Sequence, residues 1–218
     1  MKLSDLIGNA LCSNKCINCG ELFEIYQEYE ACPACDSILR ENIQNNTVQI
    51  NDINISADKF LFFYNNATIK KLVLDMKNFP LGQNCRYFAR IAYECIVNDP
   101  VFSDFDIVTH CPRNPHKESV VGYDHSACFA ENIATFCEKP FFKLIKRKIG
   151  GKEQKKLNLT QRISNVHNKF YFNRKYSCKG KTVLLVDDIV TTGSTVKECA
   201  RILKEAGASK VLALFILD

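Results

Sequence analysis

The stretch Val183–Thr195 reads VLLVDDIVTTGST, and it decides the fold class. Four apolar residues predict a buried strand that ends at Val186, and the apolar spacing from Ser194 to Ala206 predicts a helix that follows it. The adjacent carboxylates of Asp187 and Asp188 would then lie at the carboxyl edge of a sheet, where open α/β folds bind ligands. The stretch therefore predicts an α/β protein with a ligand site at this edge.

The small residues after the two carboxylates predict a phosphate-binding loop. Backbone N–H groups and hydroxyls beside a helix N-terminus favour an anion, and here they come from Thr191, Thr192, Gly193, Ser194 and Thr195. The neighbouring carboxylates can accept hydrogen bonds from adjacent sugar hydroxyls and can assist a magnesium ion. The pattern lacks the Walker and dinucleotide spacings. It therefore indicates a site for ribose and its 5′-phosphate; the alternative is a helix cap used only for turn chemistry.

Strands and helices alternate along the rest of the chain. Apolar periodicity predicts strands at 60–64, 105–110, 141–147, 169–172, 182–186 and 211–217, and helices at 67–78, 87–97, 126–137 and 194–206. This alternation implies a parallel sheet covered by helices on both faces. The segment 41–58, rich in Asn, Asp and Gln, is expected to be a linker or an irregular hairpin.

Two cysteine pairs near the N-terminus predict a structural zinc site. Cys16 and Cys19 form one Cys-x-x-Cys turn, and Cys32 and Cys35 form a second one twelve residues later. Two such turns can place four thiolates tetrahedrally around Zn²⁺ and leave no open position for water, so the metal would support folding and not catalysis. Cys12 is an alternative ligand, and unrelated buried or redox thiols are an alternative interpretation of the pairs.

The cysteine content also bears on the cellular location. The chain has 12 cysteines, and its first residues show no signal-peptide pattern. No run approaches the ~18 uninterrupted apolar residues that indicate a membrane span. We therefore expect a cytoplasmic protein, with peripheral attachment to the inner face of the membrane as a compatible location, and we expect the remaining cysteines to be small buried side chains.

The net charge of +5 is concentrated in one segment. Residues 139–162 hold nine Lys or Arg and one Glu, which leaves 20 basic and 23 acidic residues elsewhere. This clustering indicates an anionic partner, either a polyphosphate or a nucleic acid. The candidate nucleic-acid contacts are Lys146, Arg147, Lys148, Lys152, Lys155 and Lys156. A solvated loop is the alternative.

The motif at residues 183–195 resembles the site for phosphoribosyl pyrophosphate (PRPP) in type I phosphoribosyltransferases. The cysteine pairs and the stretch YNNATIKKLVLDMK at 64–77 match the layout of the ComF family of competence-associated proteins. A further segment has the spacing typical of that family at Gln154, Leu157, Arg162, Asn165, Val166 and Phe170. The chain is therefore similar to ComF proteins over nearly its whole length, and most similar in its last third.

The resemblance implies an organisation and a function. It implies a zinc ribbon in residues 1–45 and a type I phosphoribosyltransferase-like domain in residues 46–218, with PRPP and magnesium as ligands. It further implies a role in the handling or uptake of single-stranded DNA during natural transformation, together with other competence or DNA-processing proteins. The alternative is an active phosphoribosyltransferase that uses an unidentified nitrogen acceptor. The catalytic residues are not assigned.

Two segments of this chain bear on the predicted pyrophosphate contact, the loop at 110–117 and the segment at 121–125. The resemblance implies that the loop HCPRNPHK at 110–117 meets the pyrophosphate, and Arg113 is its best charged candidate because a guanidinium can make two hydrogen bonds to a phosphate. A solvated loop arginine is the alternative. We expect His110 and His116 to be structural or exposed.

Relatives usually carry Arg-Gly-Phe-Asn-Gln before the third helix, whereas this chain reads Val-Gly-Tyr-Asp-His at 121–125. The arginine is lost, and Arg113 or Lys117 is expected to substitute for it.

Overall fold

A four-stranded parallel sheet forms the centre of the protein. The structure, a computed structural model, describes residues 13–24, 30–78, 82–113, 122–148 and 169–218. The strands follow the order β3–β8–β7–β4, and every neighbouring pair in the sheet is parallel. Their bounds are Ala57–Phe62 for β3, Ile107–His110 for β4, Thr182–Ile189 for β7 and Lys210–Leu217 for β8.

Helices cover both faces of this sheet. One face packs against α2, Ala67–Asn78, α3, Gln83–Ile96, and α4, His125–Phe136, while the other packs against α5, Ser194–Glu205. Successive side chains of a strand point to opposite faces, so Leu184 and Val186 join the first core while Val183 and Leu185 join the second.

Two smaller units flank the sheet. Residues of the cysteine segment form the antiparallel strands β1, Ser13–Lys15, and β2, Leu22–Glu24, followed by helix α1, Pro33–Arg40. A second antiparallel pair, β5 at Ile145–Arg147 and β6 at Phe170–Phe172, lies beyond β4. Within these described ranges, no helix combines the length and the apolar character that crossing a bilayer requires.

The structure corrects several predicted strand bounds: the strand predicted at 60–64 spans Ala57–Phe62, the one predicted at 105–110 begins at Ile107, and two others change further. The strand predicted to end at Val186 continues to Ile189, because β8 offers ladder partners to Asp187 and Ile189 as far as Leu217. The strand predicted at 141–147 is regular only from Ile145. Phe141 makes an isolated parallel bridge to β4, and the residues after Leu144 pair instead with β6. The predicted helix 67–78 is confirmed residue for residue.

The segment 41–58 is irregular until β3 begins at Ala57. It is held in place by the buried carboxylate of Asp58, which accepts hydrogen bonds from the backbone N–H groups of Val48, Gln49 and Ile50 at 2.6 to 2.9 Å. One carboxylate thus satisfies three successive donors that have no strand partner.

Candidate functional site

The five predicted loop residues surround one small cavity at the carboxyl end of β7. The cavity holds about 50 Å³ and is lined by residues 189–196 together with Asp187 and Phe215. Gly193 is the N-cap of α5 and has a φ of 68°, a left-handed conformation that favours glycine. The hydroxyl oxygens of Thr192 and Ser194 lie 2.8 Å apart. The loop therefore presents hydroxyls and helix N–H groups around a space the size of one phosphate group.

The segment 48–50 closes this loop from the side. A Cβ built at Gly193 would lie 3.7 Å from the Ile50 side chain, and the Lys197 ammonium donates to the Asn51 carbonyl at 3.3 Å. Because Asp58 fixes the backbone of this segment, the loop has a rigid wall formed by residues that precede β3 in the chain.

Asp187 and Asp188 point to opposite faces of β7. Asp188 faces the α2–α4 layer, where its Oδ2 lies 2.8 Å from Lys77 Nζ and 2.5 Å from His125 Nε2. Burial alone would raise the pKa of Asp188, but the hydrogen bond from His125 and the charge of Lys77 outweigh it and lower the pKa to about 2. Asp188 is therefore a charged carboxylate that is already engaged by two protein partners.

Asp187 lines the loop cavity instead. Its Oδ1 accepts hydrogen bonds from the Ser126 hydroxyl at 3.1 Å and from the Asp188 N–H at 2.9 Å. Burial and then the neighbouring charge of Asp188 raise its pKa well above the usual range for an aspartate. A magnesium ion bound in this cavity would favour the charged form of Asp187. Asp187 therefore fits the role of a carboxylate that becomes ionised when a cation binds next to it.

Arg113 joins the network around Asp188. Its Nη1 lies 3.1 Å from His125 Nδ1 and donates to the Lys77 carbonyl at 3.4 Å. Since a guanidinium only donates, His125 Nδ1 must accept, and the His125 proton sits on Nε2, where it is shared with Asp188. Arg113, His125, Asp188 and Lys77 thus form one connected group that positions the arginine at the edge of the sheet.

Asp124 links α4 to the end of β4. It is the N-cap of α4: its Oδ1 accepts the N–H groups of Ser126 and Ala127 at 3.0 and 3.2 Å, and its Oδ2 lies 3.2 Å from His110 Nε2. Burial opposes ionisation, but the bond and charge of His110 and the backbone donors outweigh it and lower the Asp124 pKa to about 2. Among the described residues, His110 Nδ1 is buried and has no hydrogen-bond partner.

Sequence reasoning missed Lys77, Asp124 and His125 as parts of the site. The altered segment at 121–125, which differs from the resembling family, supplies two of them. An Asp immediately before a predicted helix is a recognisable N-cap signal. In contrast, the contact between Lys77 and Asp188 joins residues that are 111 positions apart, and no local sequence pattern predicts it.

A basic cleft adjoins Asp124. It holds about 670 Å³ and is lined at one end by His110, Arg113 and Asp124, with Pro112 and Ile145 nearby. At the other end it is lined by the chain around β5 and β6, through Lys143, Lys146, Arg147, Lys148 and Tyr171. Three of the predicted nucleic-acid contacts therefore share a cleft with Arg113. The other three, Lys152, Lys155 and Lys156, and also His116 and Lys117, lie outside the described residues.

The four predicted zinc ligands converge. The Sγ atoms of Cys16, Cys19, Cys32 and Cys35 all lie within 4.8 Å of one another. Zinc–sulfur bonds of about 2.3 Å in a tetrahedron place sulfurs ~3.8 Å apart, and the Cys19 to Cys32 distance is 3.9 Å. The Cys32 N–H donates to Cys16 Sγ at 3.4 Å, and the Asn18 amide donates to Cys35 Sγ at 3.3 Å. The donor set fits a zinc ion bound by four thiolates, with N–H donors that stabilise their charge. Cys12 lies outside the described residues.

The cysteine segment packs on α3. Glu30 is buried and lies 2.9 Å from the guanidinium groups of both Arg86 and Arg90, while Arg40 of α1 pairs with the exposed Glu94. Cys16, Cys35 and other buried residues of the segment belong to the same apolar core as α2 and α3. The cysteine cluster and the helical layer are thus one packed unit.

Comparison with known proteins identifies the fold of the C-terminal part. The phosphoribosyl transferase domain model matches residues 125–218. The adenine phosphoribosyltransferase of Mycoplasmopsis agalactiae is 29% identical over 156 residues, which covers 69% of this chain and 85% of that protein. The chain therefore contains a phosphoribosyltransferase-like domain, of which residues 125–218 are the matched part. With the parallel sheet and the four-cysteine cluster, this match confirms the predicted fold class.

Two solved structures are also similar. Adenine phosphoribosyltransferase from Leishmania tarentolae has a TM-score of 0.44 and 13% identity, covering 79% of this chain and 94% of that one. The glutamine PRPP amidotransferase from B. subtilis has a TM-score of 0.41 and 24% identity over 66% of this chain. The chain spans only 26% of the length of that amidotransferase.

Proposed function

We propose that the protein binds magnesium-PRPP at the carboxyl edge of its sheet. The observation that carries this proposal is the cavity enclosed by residues 191–195, with Asp187 in its wall and Arg113 at the adjoining strand end. The loop would hold the 5′-phosphate, Asp187 the ribose hydroxyls, and Arg113 the pyrophosphate. Magnesium, for which Asp187 is the available carboxylate, would neutralise the pyrophosphate charge.

Asp188 is a positioning residue in this proposal. Lys77 and His125 contact its Oδ2 at 2.8 and 2.5 Å, so in this proposal Asp188 holds the network in place while Asp187 takes the ribose hydroxyls. Its charge fixes the His125 tautomer that accepts from Arg113. Loss of this charge would therefore affect the pyrophosphate side of the site through Arg113.

The biological role that we propose is the handling of single-stranded DNA during natural transformation, as the resemblance to ComF proteins implies. Three features support it. Lys143, Lys146 and Lys148 line the cleft, where their positive charges would meet the phosphates of a strand. The Tyr171 side chain in the same cleft is 43% exposed, as a base-stacking platform needs to be. The zinc-type cysteine module adds a second element suited to nucleic-acid proteins.

An active transferase is the second candidate. The similarity to an adenine phosphoribosyltransferase over 85% of that protein's length favours it. In this version the bond from the ribose C1 to pyrophosphate would break as a nitrogen of a base forms the new bond to C1, and the proton of that nitrogen would pass to the departing pyrophosphate or to water. The residues at 187–195 and Arg113 would then act by orientation and charge stabilisation.

Pyrophosphate release from magnesium-PRPP separates these candidates. The zinc-loaded protein is assayed alone, with adenine and other nucleobases, and with single-stranded DNA, and Ser194→Asp serves as the disabled control. An acidic residue at the first position of α5 favours the helix but repels a phosphate. Release that requires an added base establishes a transferase, and binding without release supports a binding module. Failure to bind PRPP overturns the whole proposal.

The salt dependence of strand binding tests the DNA role. We expect Lys146→Gln with Lys148→Gln to reduce the slope of log affinity against log salt by about 0.7 per lysine, because each lost phosphate contact releases fewer counterions. Lys179→Gln with Lys210→Gln removes the same charge from exposed positions away from the cleft. An equal slope change in both double variants would show that the cleft has no special role.

A further inference from the structure

The loop cavity and the basic cleft are connected through Ser126. The Ser126 hydroxyl donates to Asp187, which lines the loop cavity, and the Ser126 N–H donates to Asp124, which lines the cleft. The strands β7 and β4, from whose ends the two spaces open, are neighbours in the sheet. A ligand whose phosphate lies in the loop and whose far end extends along the edge therefore enters the cleft.

The described residues around the cleft are predominantly basic. Residues 139–148 contain five Lys or Arg and no carboxylate, and residues 169–176 contain three more and again no carboxylate. Among the described residues that line the cleft, Asp124 is the one carboxylate, and it already accepts hydrogen bonds from the Arg113 N–H and two helix N–H groups and lies 3.2 Å from His110 Nε2. The remaining charged side chains of this lining are basic and therefore favour an anion.

The cleft has the size of a site for one ligand. Its volume of about 670 Å³ falls within the range of ~300 to 1,000 Å³ that is usual for a single small-molecule site. Two polyanions placed side by side in it would repel each other. Arg113 lines this same space as Lys143, Lys146 and Lys148, so a pyrophosphate held by Arg113 and a strand held by these lysines would compete for one site.

We infer that the pyrophosphate of PRPP and the phosphates of single-stranded nucleic acid occupy this one cleft, so that the two ligands exclude each other. The inference rests on the proposed function and adds its regulation. Because linkage is reciprocal, PRPP weakens strand binding and the strand weakens PRPP binding by the same factor. The protein would then hold a strand when PRPP is scarce and release it when PRPP is abundant.

The test is a competition measured with the full-length, zinc-loaded protein. A fluorescent oligo-dT strand is titrated by anisotropy at constant ionic strength and constant magnesium, with increasing PRPP. At a PRPP concentration ten times its dissociation constant, we expect the apparent dissociation constant of the strand to rise about elevenfold. Magnesium pyrophosphate should also compete, whereas ribose 5-phosphate, which lacks the pyrophosphate, should leave strand binding unchanged.

Ser194→Asp supplies the control for general anion effects. This variant is expected to lose binding of the 5′-phosphate in the loop while the cleft stays unchanged. PRPP at the same concentration should therefore no longer displace the strand, whereas magnesium pyrophosphate still should. Equal displacement by PRPP in the variant and the unaltered protein would overturn the inference. So would simultaneous binding of PRPP and strand with unchanged affinities, an outcome that leaves the proposed function intact. A protein that binds only one of the two ligands overturns the inference together with the corresponding part of the proposed function.

Discussion

The two polar centres of the molecule are assembled in different ways. The four cysteines lie within 20 residues of one another in the chain, and their side chains converge without help from the sheet. The edge of the sheet instead combines a contiguous loop at 191–195 with charges from distant elements, such as Lys77 and His125. The first centre brings together four thiols whose arrangement fits a metal ion, whereas the second is a buried network of charged side chains. Substitutions in the two centres are therefore expected to act through different interactions.

Removal of one cysteine ligand should have the largest effect. We expect Cys32→Ser to lose the zinc ion and to unfold the segment around α1, because metal binding supplies much of the folding free energy of such small modules. Metal content per chain and hydrogen exchange in residues 30–40 measure both consequences. Cys95→Ser removes a half-buried cysteine outside the cluster and should keep the metal. An unchanged zinc content in Cys32→Ser would contradict the ligand set.

The two adjacent carboxylates should differ in their effect on stability. Asp188→Asn leaves Lys77 without its ion pair and should lower the free energy of unfolding by about 1–3 kcal/mol. Asp187→Asn should change it by less than about 1 kcal/mol, because the raised pKa of Asp187 makes a neutral amide an acceptable substitute. Urea unfolding at pH 7 measures both values. A larger loss in Asp187→Asn than in Asp188→Asn would reverse the assigned roles.

Acid should reduce the contribution of Asp188 to stability. Its pKa is about 2 in the folded protein and about 3.9 in an unfolded chain. The group therefore stabilises the fold above pH ~4 by about 2 kcal/mol, and this contribution is lost as the pH falls toward 2. Asp124, whose pKa is also about 2, acts in the same direction. Asp187 acts in the opposite direction, since its raised pKa makes it stabilising at low pH and costly as the pH rises.

The difference in unfolding free energy between the unaltered protein and Asp188→Asn isolates this effect, because loss of zinc in acid affects both proteins. We expect this difference to shrink between pH 5 and pH 2. A difference that stays constant over that range would mean that Asp188 is not held in its charged form by Lys77 and His125.

The ion pairs that attach the cysteine module should show the smallest effects and a clear order. Glu30→Gln removes a buried carboxylate that serves two arginines and should cost more than Glu94→Gln, whose exposed pair with Arg40 is worth at most ~1 kcal/mol. Thermal unfolding of the zinc-loaded variants measures the order. Equal losses would indicate that the module is attached by apolar packing alone.

The contiguous features were predictable from sequence, and the long-range ones were not. The loop at 191–195, helix 67–78 and the cysteine cluster each follow from a local pattern of residue types. The partners of Asp188 depend on how α2 and α4 pack on the sheet. That β7 continues through both carboxylates depends on the ladder offered by β8. These long-range contacts cannot be read from a single sequence. The sequence therefore predicted the same role for Asp187 and Asp188, whereas in the structure Asp187 lines the loop cavity and Asp188 contacts Lys77 and His125.

The difference between Asp187 and Asp188 also changes how the site should be tested. A double substitution of both carboxylates would mix loss of a ligand contact with loss of a buried ion pair. Single substitutions keep these effects separate, because only Asp187 lines the loop cavity. The segment at 121–125 also has a structural role, because Asp124 contacts His110 at the end of β4 and His125 contacts Asp188 in β7.

Calorimetric titration of the zinc-loaded protein with magnesium-PRPP tests the central claim most directly. We expect one PRPP to bind per chain. Asp187→Asn should reduce the affinity at least about tenfold, because a hydrogen bond to a charged group is worth about 1.5–3 kcal/mol. The distant Lys210→Gln should leave the affinity unchanged. Absence of binding to the unaltered protein, or equal affinity in Asp187→Asn, would contradict the assignment of the sheet edge as the PRPP site.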